Sequence, residues 1–126
     1  MLLEGKKVVV IGGSSGIGLA IARQARAEGA SLIIVGRDPA KVSNTASTLG
    51  GDAQGVVGDA HDHSALEGCI ASLPEFDHLV SMVGDTMAGG FLQTPLETLQ
   101  HVLHSKFWTN LLIARFSAPS SATAVA

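Results

Sequence analysis

The sequence predicts an α/β fold in which one parallel sheet lies between two layers of helices. Short runs of branched apolar residues alternate along the chain with segments of helical spacing. The first two runs, within residues 6–11 and 31–35, each contain four successive apolar residues, as strands covered on both faces do. Strand–helix alternation at this spacing is typical of right-handed βαβ units, which build a doubly wound, three-layer αβα sheet.

The composition excludes several classes of protein. The 126 residues fall within the size of one ordinary domain. Hydrophobic residues make up 46% and charged residues 15%, which argues against a disordered chain. The net charge of −3 gives no electrostatic reason to expect nucleic acid or an anionic membrane as a partner. No stretch approaches the ~18–20 apolar residues that a membrane helix needs.

Cysteine usage and the amino terminus both predict a cytoplasmic protein. Cys69 stands alone, so the chain cannot form an intramolecular disulfide, which fits a reducing compartment. Only four consecutive apolar residues precede Gly12, and this run is too short for the apolar segment of a secretory signal peptide.

Helical spacing and capping residues predict the first two helices. Apolar residues at positions 17, 20, 21 and 25 lie on one helical face, and Gly29 follows as a stop. Asp38 and Pro39 predict the start of the second helix, because an N-cap aspartate there precedes a proline at the first helical position.

The second half of the predicted domain has weaker strands and two further helices. We expect strands at Gln54–Val57 and at residues 78–83. Ser64 and Glu67 have the spacing of a capping box for a third helix that Pro74 closes. Thr94 and Glu97 predict the same for the last helix. The apolar face of the third helix consists of Leu66, Cys69, Ile70 and Leu73, and one side of the last helix carries Leu99, Leu103, Phe107 and Asn110.

The end of the chain breaks this alternation. Residues 117–126 are small, polar and low in complexity, which predicts a frayed tail. A fifth buried strand would be expected near this point, and the sequence contains none. We therefore expect the domain to occupy residues 1–116.

A glycine-rich run between the first strand and the first helix carries the main functional signal. The run reads Gly-Gly-Ser-Ser-Gly-Ile-Gly at positions 12–18. Glycines there let the backbone turn tightly against a pyrophosphate, while free amide groups at the helix N-terminus face the anion. The alternative is a tight turn without a ligand, but the position inside a βαβ unit favours a phosphate site.

This run resembles the TGxxxGxG cofactor motif of the short-chain dehydrogenase/reductase family, although Ile11 stands where the family has threonine. The resemblance extends over about residues 5–115 and implies the N-terminal half of a Rossmann-like fold. It also implies an NAD(P)-binding oxidoreductase that transfers hydride between the cofactor and a carbonyl or alcohol. The cofactor-contacting residues that it implies in this run are Gly12, Ser14, Ser15, Gly16, Ile17 and Gly18.

The end of the second strand predicts the choice of cofactor. In NAD-binding relatives a carboxylate at this position hydrogen-bonds the adenosine ribose, whereas this chain has Gly36. Arg37 follows, and a guanidinium suits the additional 2′-phosphate of NADP. Asp38 is a rival candidate for the ribose contact, although its position before Pro39 favours a helix N-cap. We therefore expect NADP rather than NAD.

The ends of the third and fourth strands supply further implied contacts. Asp59 matches the aspartate that contacts the adenine ring in the family, with Ala60 beside it; a loop or capping aspartate is the alternative. Ser-Met-Val-Gly at positions 81–84 stands where the family has Asn-Asn-Ala-Gly. Only the glycine matches, which leaves open how the end of this strand is stabilised. Val83 and Gly84 are expected beside the nicotinamide ribose.

The catalytic groups of the family are absent from this sequence. The family uses a tyrosine as general acid/base, a lysine four residues later and a serine, and this chain contains no tyrosine. We therefore expect a truncated relative that is inactive alone, with no catalytic residue assigned. The alternatives are a non-catalytic nucleotide-binding or interaction module, and a gene fragment without function.

Lys106 and the histidines carry weaker signals. Lys106 stands where the family has a helix asparagine, and either a substitute donor or a lysine reaching to the surface fits that position. The pairs His61/His63 and His101/His104 lack a third ligand, so we expect surface histidines and no metal site. The unpaired edge of the fourth strand and the last helix predict a homo-oligomer or pairing with another chain.

Overall fold

The computed structural model describes residues 1–14, 16–84 and 89–120, with only the backbone described at residue 120. The first half contains β1 (Lys7–Ile11), α1 (Gly16–Ala27), β2 (Ser31–Gly36), α2 (Pro39–Leu49) and β3 (Gln54–Val57). The second half contains α3 (His63–Ala71), β4 (His78–Ser81), α4 (Leu96–Leu103), a π-helical turn (His104–Trp108), α5 (Thr109–Ser117) and a 3-10 turn (Ala118–Ser120).

The strands form one parallel sheet in the order β3-β2-β1-β4. β1 pairs with β2 from Lys7–Ser31 to Ile11–Val35, and with β4 from Val8–His78 to Ile11–Ser81. The chain leaves β3 on one side of β1 and returns as β4 on the other, so the strand order changes direction at β1. In open α/β sheets ligands bind at this point, outside the carboxyl ends of the strands.

Both faces of the sheet are covered, which explains the uninterrupted apolar runs. One face packs against α1 and α2, and the other packs against α3 and α5. Adjacent residues of β1, such as Val8 and Val9, therefore point into different cores and are both almost fully buried. Burial of each such side chain contributes about 1.5–3 kcal/mol. The predicted three-layer αβα architecture is confirmed.

β1 and β4 are both shorter than predicted. β1 begins at Lys7 rather than at residue 6, and β4 stops at Ser81 rather than at residue 83. β4 pairs with β1 alone, and β1 ends opposite Ser81 at Ile11. After a last bond from the Met82 amide to the Ile11 carbonyl oxygen (2.9 Å), the ladder has no partner strand to continue on.

Of the three capping patterns predicted for helix starts, one is confirmed and two are wrong. Asp38 caps α2 as expected, since its carboxylate accepts bonds from the amides of Ala40 (2.9 Å) and Lys41 (3.3 Å). The two predicted capping boxes are wrong. Ser64 lies inside α3 and donates its hydroxyl to Asp62 (2.7 Å), while Thr94 donates to the Gly90 carbonyl oxygen (2.7 Å) two residues before α4 begins. Both hydroxyls bond within the preceding turns.

The predicted last helix is interrupted. Between α4 and α5 the backbone widens into a π turn, in which the Thr109 amide donates to the His104 carbonyl oxygen five residues earlier. This turn shifts the helical phase, so the predicted one-sided stripe is wrong. Leu103 and Phe107 are 64% and 61% exposed, whereas the Asn110 side chain bonds to the end of β4.

The described part of the predicted tail is helical. α5 includes Ser117, which is buried, and the 3-10 turn follows it. Residues 121–126 lie outside the described part of the chain, and the domain boundary at residue 116 stays a prediction. Among the described residues, no helix is both long enough and apolar enough to cross a membrane.

Candidate functional site

Two glycines shape the turn that follows β1. Gly12 has φ +85°, and a Cβ atom on it would lie 3.2 Å from the Met82 carbonyl oxygen. A Cβ atom on Gly18 would overlap the Gly12 carbonyl oxygen, because the first turn of α1 packs directly on the end of β1. A side chain at Gly12 would therefore press on the backbone after β4, and one at Gly18 would push α1 away from the turn. The glycine pattern of the sequence has a direct steric reason at both of them.

Gly16 has a different role from its two neighbours in the motif. It begins α1 with φ +58°, a left-handed conformation that favours glycine, yet no described atom outside its chain neighbours and the α1 backbone lies within 4 Å of its Cβ position. The space above it is open, and the first amide groups of α1 have no acceptor within the helix. A helix N-terminus beside open space attracts an anion.

A cavity of about 260 Å³ lies at the carboxyl ends of the strands. Its lining brings together residues from the ends of all four strands and the loops that follow them. Seven residues predicted for the site line it: Gly12, Ser14, Arg37, Asp59, Ala60, Val83 and Gly84.

Three other predicted residues do not line this cavity. Gly16, Ile17 and Gly18 lie in the first turn of α1, and Ile17 is 67% exposed. Ser15 lies outside the described residues. Eight further residues line the cavity and were not among the predicted contacts, although Gly36 and Asp38 were considered in the choice of cofactor. They are Ile11, Val35, Gly36, Asp38, Lys41, Gly58, His61 and Met82. The position of Lys41 could have been predicted from the sequence, because it is the third residue after the N-cap Asp38 and therefore lies at the same end of α2 as the cap.

The end of β2 has basic side chains and no room for a carboxylate. A Cβ atom on Gly36 would lie 2.9 Å from Val42 Cγ2 and 3.3 Å from Ser14 Oγ. Arg37 and Lys41 are exposed at the cavity, and neither side chain forms an ion pair or hydrogen bond within the described chain. Asp38 caps α2 through Oδ1 and pairs with neither cation in the described part of the chain, so both cations are available to an anion.

Asp59 and Ala60 line the cavity after β3. Asp59 accepts a hydrogen bond from the His61 amide (2.9 Å), so it orders its own loop as the alternative interpretation expected. Ala60 is buried beneath it. Behind this loop, the Cys69 sulfur lies 2.8 Å from the Cβ position of Gly58, and burial raises the pKa of the Cys69 thiol. The thiol is therefore neutral at pH 7.

Hydrogen bonds from α5 hold the end of β4. Ser81 donates its hydroxyl to the Asn110 amide oxygen (2.5 Å), and the Asn110 amide nitrogen donates to the Val83 carbonyl oxygen (3.1 Å). The sequence analysis left open what replaces the family's asparagines at this strand end. Ser81 and Asn110 together take that position, and the pair is separated by 29 residues in the chain.

Lys106 and the histidines lie near this strand end. A Cβ atom on Gly84 would lie 2.6 Å from Lys106 Cγ, so the lysine stem passes close over that glycine, although the residue is exposed. His63 Nε2 lies 2.7 Å from Thr109 Oγ1, and its ring centroid is 4.9 Å from that of His104. No cluster of three or more potential metal ligands occurs in the described chain.

The similarity to known proteins covers nearly the whole chain. Residues 6–120 match the family described as short chain dehydrogenase. The 3-ketodihydrosphingosine reductase ksrA of Aspergillus fumigatus is 31% identical over 121 residues, which cover 85% of this chain and 33% of that protein. Meso-2,3-butanediol dehydrogenase of Serratia marcescens is 28% identical over 124 residues, or 94% of this chain and 49% of that protein.

Solved structures show the same relationship. A short chain dehydrogenase/reductase family protein superposes with a TM-score of 0.87 and 30% identity, over 95% of this chain and 51% of its own. A short chain dehydrogenase from Mycobacterium smegmatis has a TM-score of 0.87 and 26% identity, over 94% of this chain and 52% of its own. The chain thus spans about half, or less, of the length of these proteins.

Proposed function

Because this chain belongs to the short chain dehydrogenase family, we propose that its cavity binds part of NADP(H). The chain would then be the cofactor-binding portion of an oxidoreductase that exchanges hydride between NADP(H) and a carbonyl or alcohol. The observation that carries this proposal is the position of Gly12, Arg37 and Val83 around one cavity at the switch point of the sheet. At about 260 Å³ the cavity suits one part of a dinucleotide.

The residues around the cavity fit such a cofactor. The pyrophosphate would lie over Gly16, where open space meets the free amides of α1. The adenosine end would lie toward Arg37 and Asp59, and the nicotinamide end toward Val83. The bound cofactor supplies the hydride, while this chain's residues bind and orient it.

NADP is proposed over NAD because of the charges beside β2. Arg37 and Lys41 form no ion pair with any described residue and offer two cations to a 2′-phosphate, while the Asp38 carboxylate accepts hydrogen bonds from the amides of α2. Val42 lies where a ribose-binding carboxylate at position 36 would need space. In the rival assignment Asp38 would hold the ribose hydroxyls of NAD through Oδ2, because both capping bonds go to Oδ1.

Binding measurements test this assignment. We expect wild-type protein to bind NADPH more tightly than NADH by calorimetry, and Arg37→Ala to remove most of the difference. Loss of a charge-assisted phosphate contact costs ~1.5–3 kcal/mol. Arg23→Ala is the matched control, because Arg23 is exposed on α1 away from the cavity. Equal affinity of the wild type for both cofactors would contradict the choice of NADP.

A reduction or oxidation on a carbonyl or alcohol is proposed from the names of the relatives, one a ketoreductase and one a butanediol dehydrogenase. The chain itself contains no tyrosine to serve as the general acid or base. We therefore propose that it binds cofactor without turning over substrate alone. Its cytoplasmic location stays a prediction from the sequence.

A second candidate function is an interaction module. The exposed apolar side chains along α4, the π turn and α5 favour it: Leu103, Phe107, Trp108 and Leu111 are 64%, 61%, 44% and 39% exposed. β4 is also at the edge of the described sheet. Both features suit a homo-oligomer or a partner chain. Light scattering should give an oligomeric mass that Phe107→Glu lowers, and a monomeric wild type would count against this candidate.

A further inference from the structure

Asn110, in the first turn of α5, connects three parts of the protein at the end of β4. Its amide oxygen accepts the hydroxyl of Ser81 (2.5 Å). Its amide nitrogen donates to the carbonyl oxygens of Val83 (3.1 Å) and Lys106 (2.5 Å). Both donor hydrogens and the acceptor oxygen of this one side chain are therefore used.

These bonds act where the sheet itself no longer holds the backbone. The β ladder ends with the Met82 amide, so the strand pairing does not fix Val83 and Gly84. Gly84 has φ +146°, an extended conformation of positive φ that side chains rarely adopt. Yet both residues line the cavity. The bond from Asn110 to the Val83 carbonyl oxygen holds this lining segment against α5.

The same amide group also holds the π turn. Lys106 lies in the middle of that turn, and its carbonyl oxygen accepts the second donor of Asn110. The Lys106 stem lies close over Gly84, with its Cγ 2.6 Å from the position of a Cβ atom. Single π turns in helices are frequent at functional sites. Asn110 thus sets the distance between the end of β4 and the turn that carries Lys106.

We propose that Asn110 is a positioning residue for the β4 half of the cofactor site. It holds the Val83–Gly84 backbone and the Lys106 stem in the arrangement that receives the nicotinamide ribose, and Ser81 orients its amide group. This inference rests on the proposed function. It implies that Asn110 matters for binding the whole dinucleotide and not for binding its adenosine half, which lies toward Arg37.

The experiment compares two ligands, NADPH and adenosine 2′,5′-bisphosphate, on the full chain. Asn110→Ala should bind NADPH about 10-fold more weakly, as expected for the loss of a net hydrogen bond or two, with bisphosphate affinity unchanged within about two-fold. Asn110→Asp should lose at least as much affinity for NADPH. It is nearly isosteric but places a carboxylate against two carbonyl oxygens. Asn44→Ala, at an exposed position of α2, is the matched control.

A purely structural role would weaken both ligands together, so equal losses, or no loss for NADPH, would overturn the inference. Wild-type protein could also bind NADPH no more tightly than it binds the bisphosphate. In that case the β4 half contributes nothing to affinity, so the inference fails while the adenosine site stands. If wild-type protein binds neither ligand, the proposed function itself fails and this inference falls with it.

Two further measurements keep the inference testable if the Asn110 variants do not fold. Ser81→Ala removes only the hydroxyl that orients the amide, and it should weaken NADPH binding about three-fold with no effect on the bisphosphate. Amide hydrogen exchange needs no ligand. In Ser81→Ala, exchange at the Met82 amide, which donates the last ladder bond to the Ile11 carbonyl oxygen, should be faster while exchange at Val10 in the centre of β1 is unchanged, and an unchanged rate at Met82 would contradict the proposal.

Discussion

The two halves of the cavity are built in different ways. The half at the ends of β1 and β2 depends on local features: the glycine turn, the cap of α2 by Asp38, and Gly36 at the strand end. The half at the end of β4 depends on distant ones. There the backbone of Val83 is held by a side chain 27 residues later in the chain.

The two halves suit two different tasks, recognition of the phosphate and adenosine groups and positioning of the reacting end of a cofactor. A phosphate or an adenosine is recognised by backbone amides and charges that a single βαβ unit can supply. The reacting end of a cofactor needs a precisely held backbone and proton-transfer groups, which come from elements far apart in sequence. The chain is therefore expected to bind cofactor well and to catalyse poorly.

Turnover should give the largest contrast between the two halves. With saturating NADPH, the chain alone should show no reduction of aldehydes or ketones above background, because general acid–base assistance worth ~10²–10⁴ in rate has no tyrosine to supply it. Cofactor oxidation followed by absorbance checks this, with NADPH binding in the same preparation as the control. Robust turnover would contradict it, and its loss in Lys106→Ala would then indicate where the proton is held.

Substitution of Gly16 should abolish dinucleotide binding. In Gly16→Val the new side chain would fill the open space above α1 where the pyrophosphate is proposed to lie, and the left-handed conformation at φ +58° would also cost about 2 kcal/mol of stability. Circular dichroism should show the secondary structure retained. Gly68→Val, in α3 with nothing near its Cβ position, is the control. Unchanged affinity by calorimetry would show that this turn is not the phosphate site.

Gly18→Val should show that this glycine, unlike Gly16, is needed mainly for the packing of the turn. Its side chain would collide with the Gly12 carbonyl oxygen, so this variant should lose stability as well as affinity. A larger fall in Tm in Gly18→Val than in Gly16→Val would support the two roles. Equal thermal stability of both variants would contradict them.

Lys41→Ala should have the smallest effect. Its exposed ammonium adds to Arg37 at the cavity, and loss of one screened charge should weaken NADPH about three-fold without changing NADH. The effect should shrink at high salt. Lys6→Ala is the matched control, since Lys6 is exposed outside the cavity. A loss shared equally by NADPH and NADH would exclude a contact with the 2′-phosphate.

The sequence predicted the local half of the site better than the distant half. The sheet, the cap by Asp38 and the family were predicted and are confirmed. These features depend on neighbouring residues, so periodicity and spacing carry the information. The glycine positions, whose role in cofactor binding stays a prediction, have clear conformational reasons in the structure.

The errors have a common physical origin in contacts between distant elements. The π turn shifts the helical phase at positions 104–108, and a helical periodicity cannot anticipate one extra residue in a turn. Asn110 was placed on an apolar stripe, because nothing in its neighbourhood indicates that Ser81 lies opposite it. Ser64 and Thr94 fit a capping pattern, but their hydroxyls donate to Asp62 and to the Gly90 carbonyl oxygen instead.

The packing of α2 on β2 and β3 limits the routes by which this protein could evolve a new cofactor preference. Val42 lies over two glycines, with its methyl carbons 2.9 Å from the Cβ position of Gly36 and 2.5 Å from that of Gly55. Gly36→Asp alone would therefore force α2 outward and destabilise the fold by roughly 1–3 kcal/mol before any ribose contact forms. A smaller residue at position 42 has to come first. If the protein prefers NADP as proposed, a change to NAD would therefore depend on the order of the two substitutions, because Gly36→Asp is tolerated only after position 42 has become smaller.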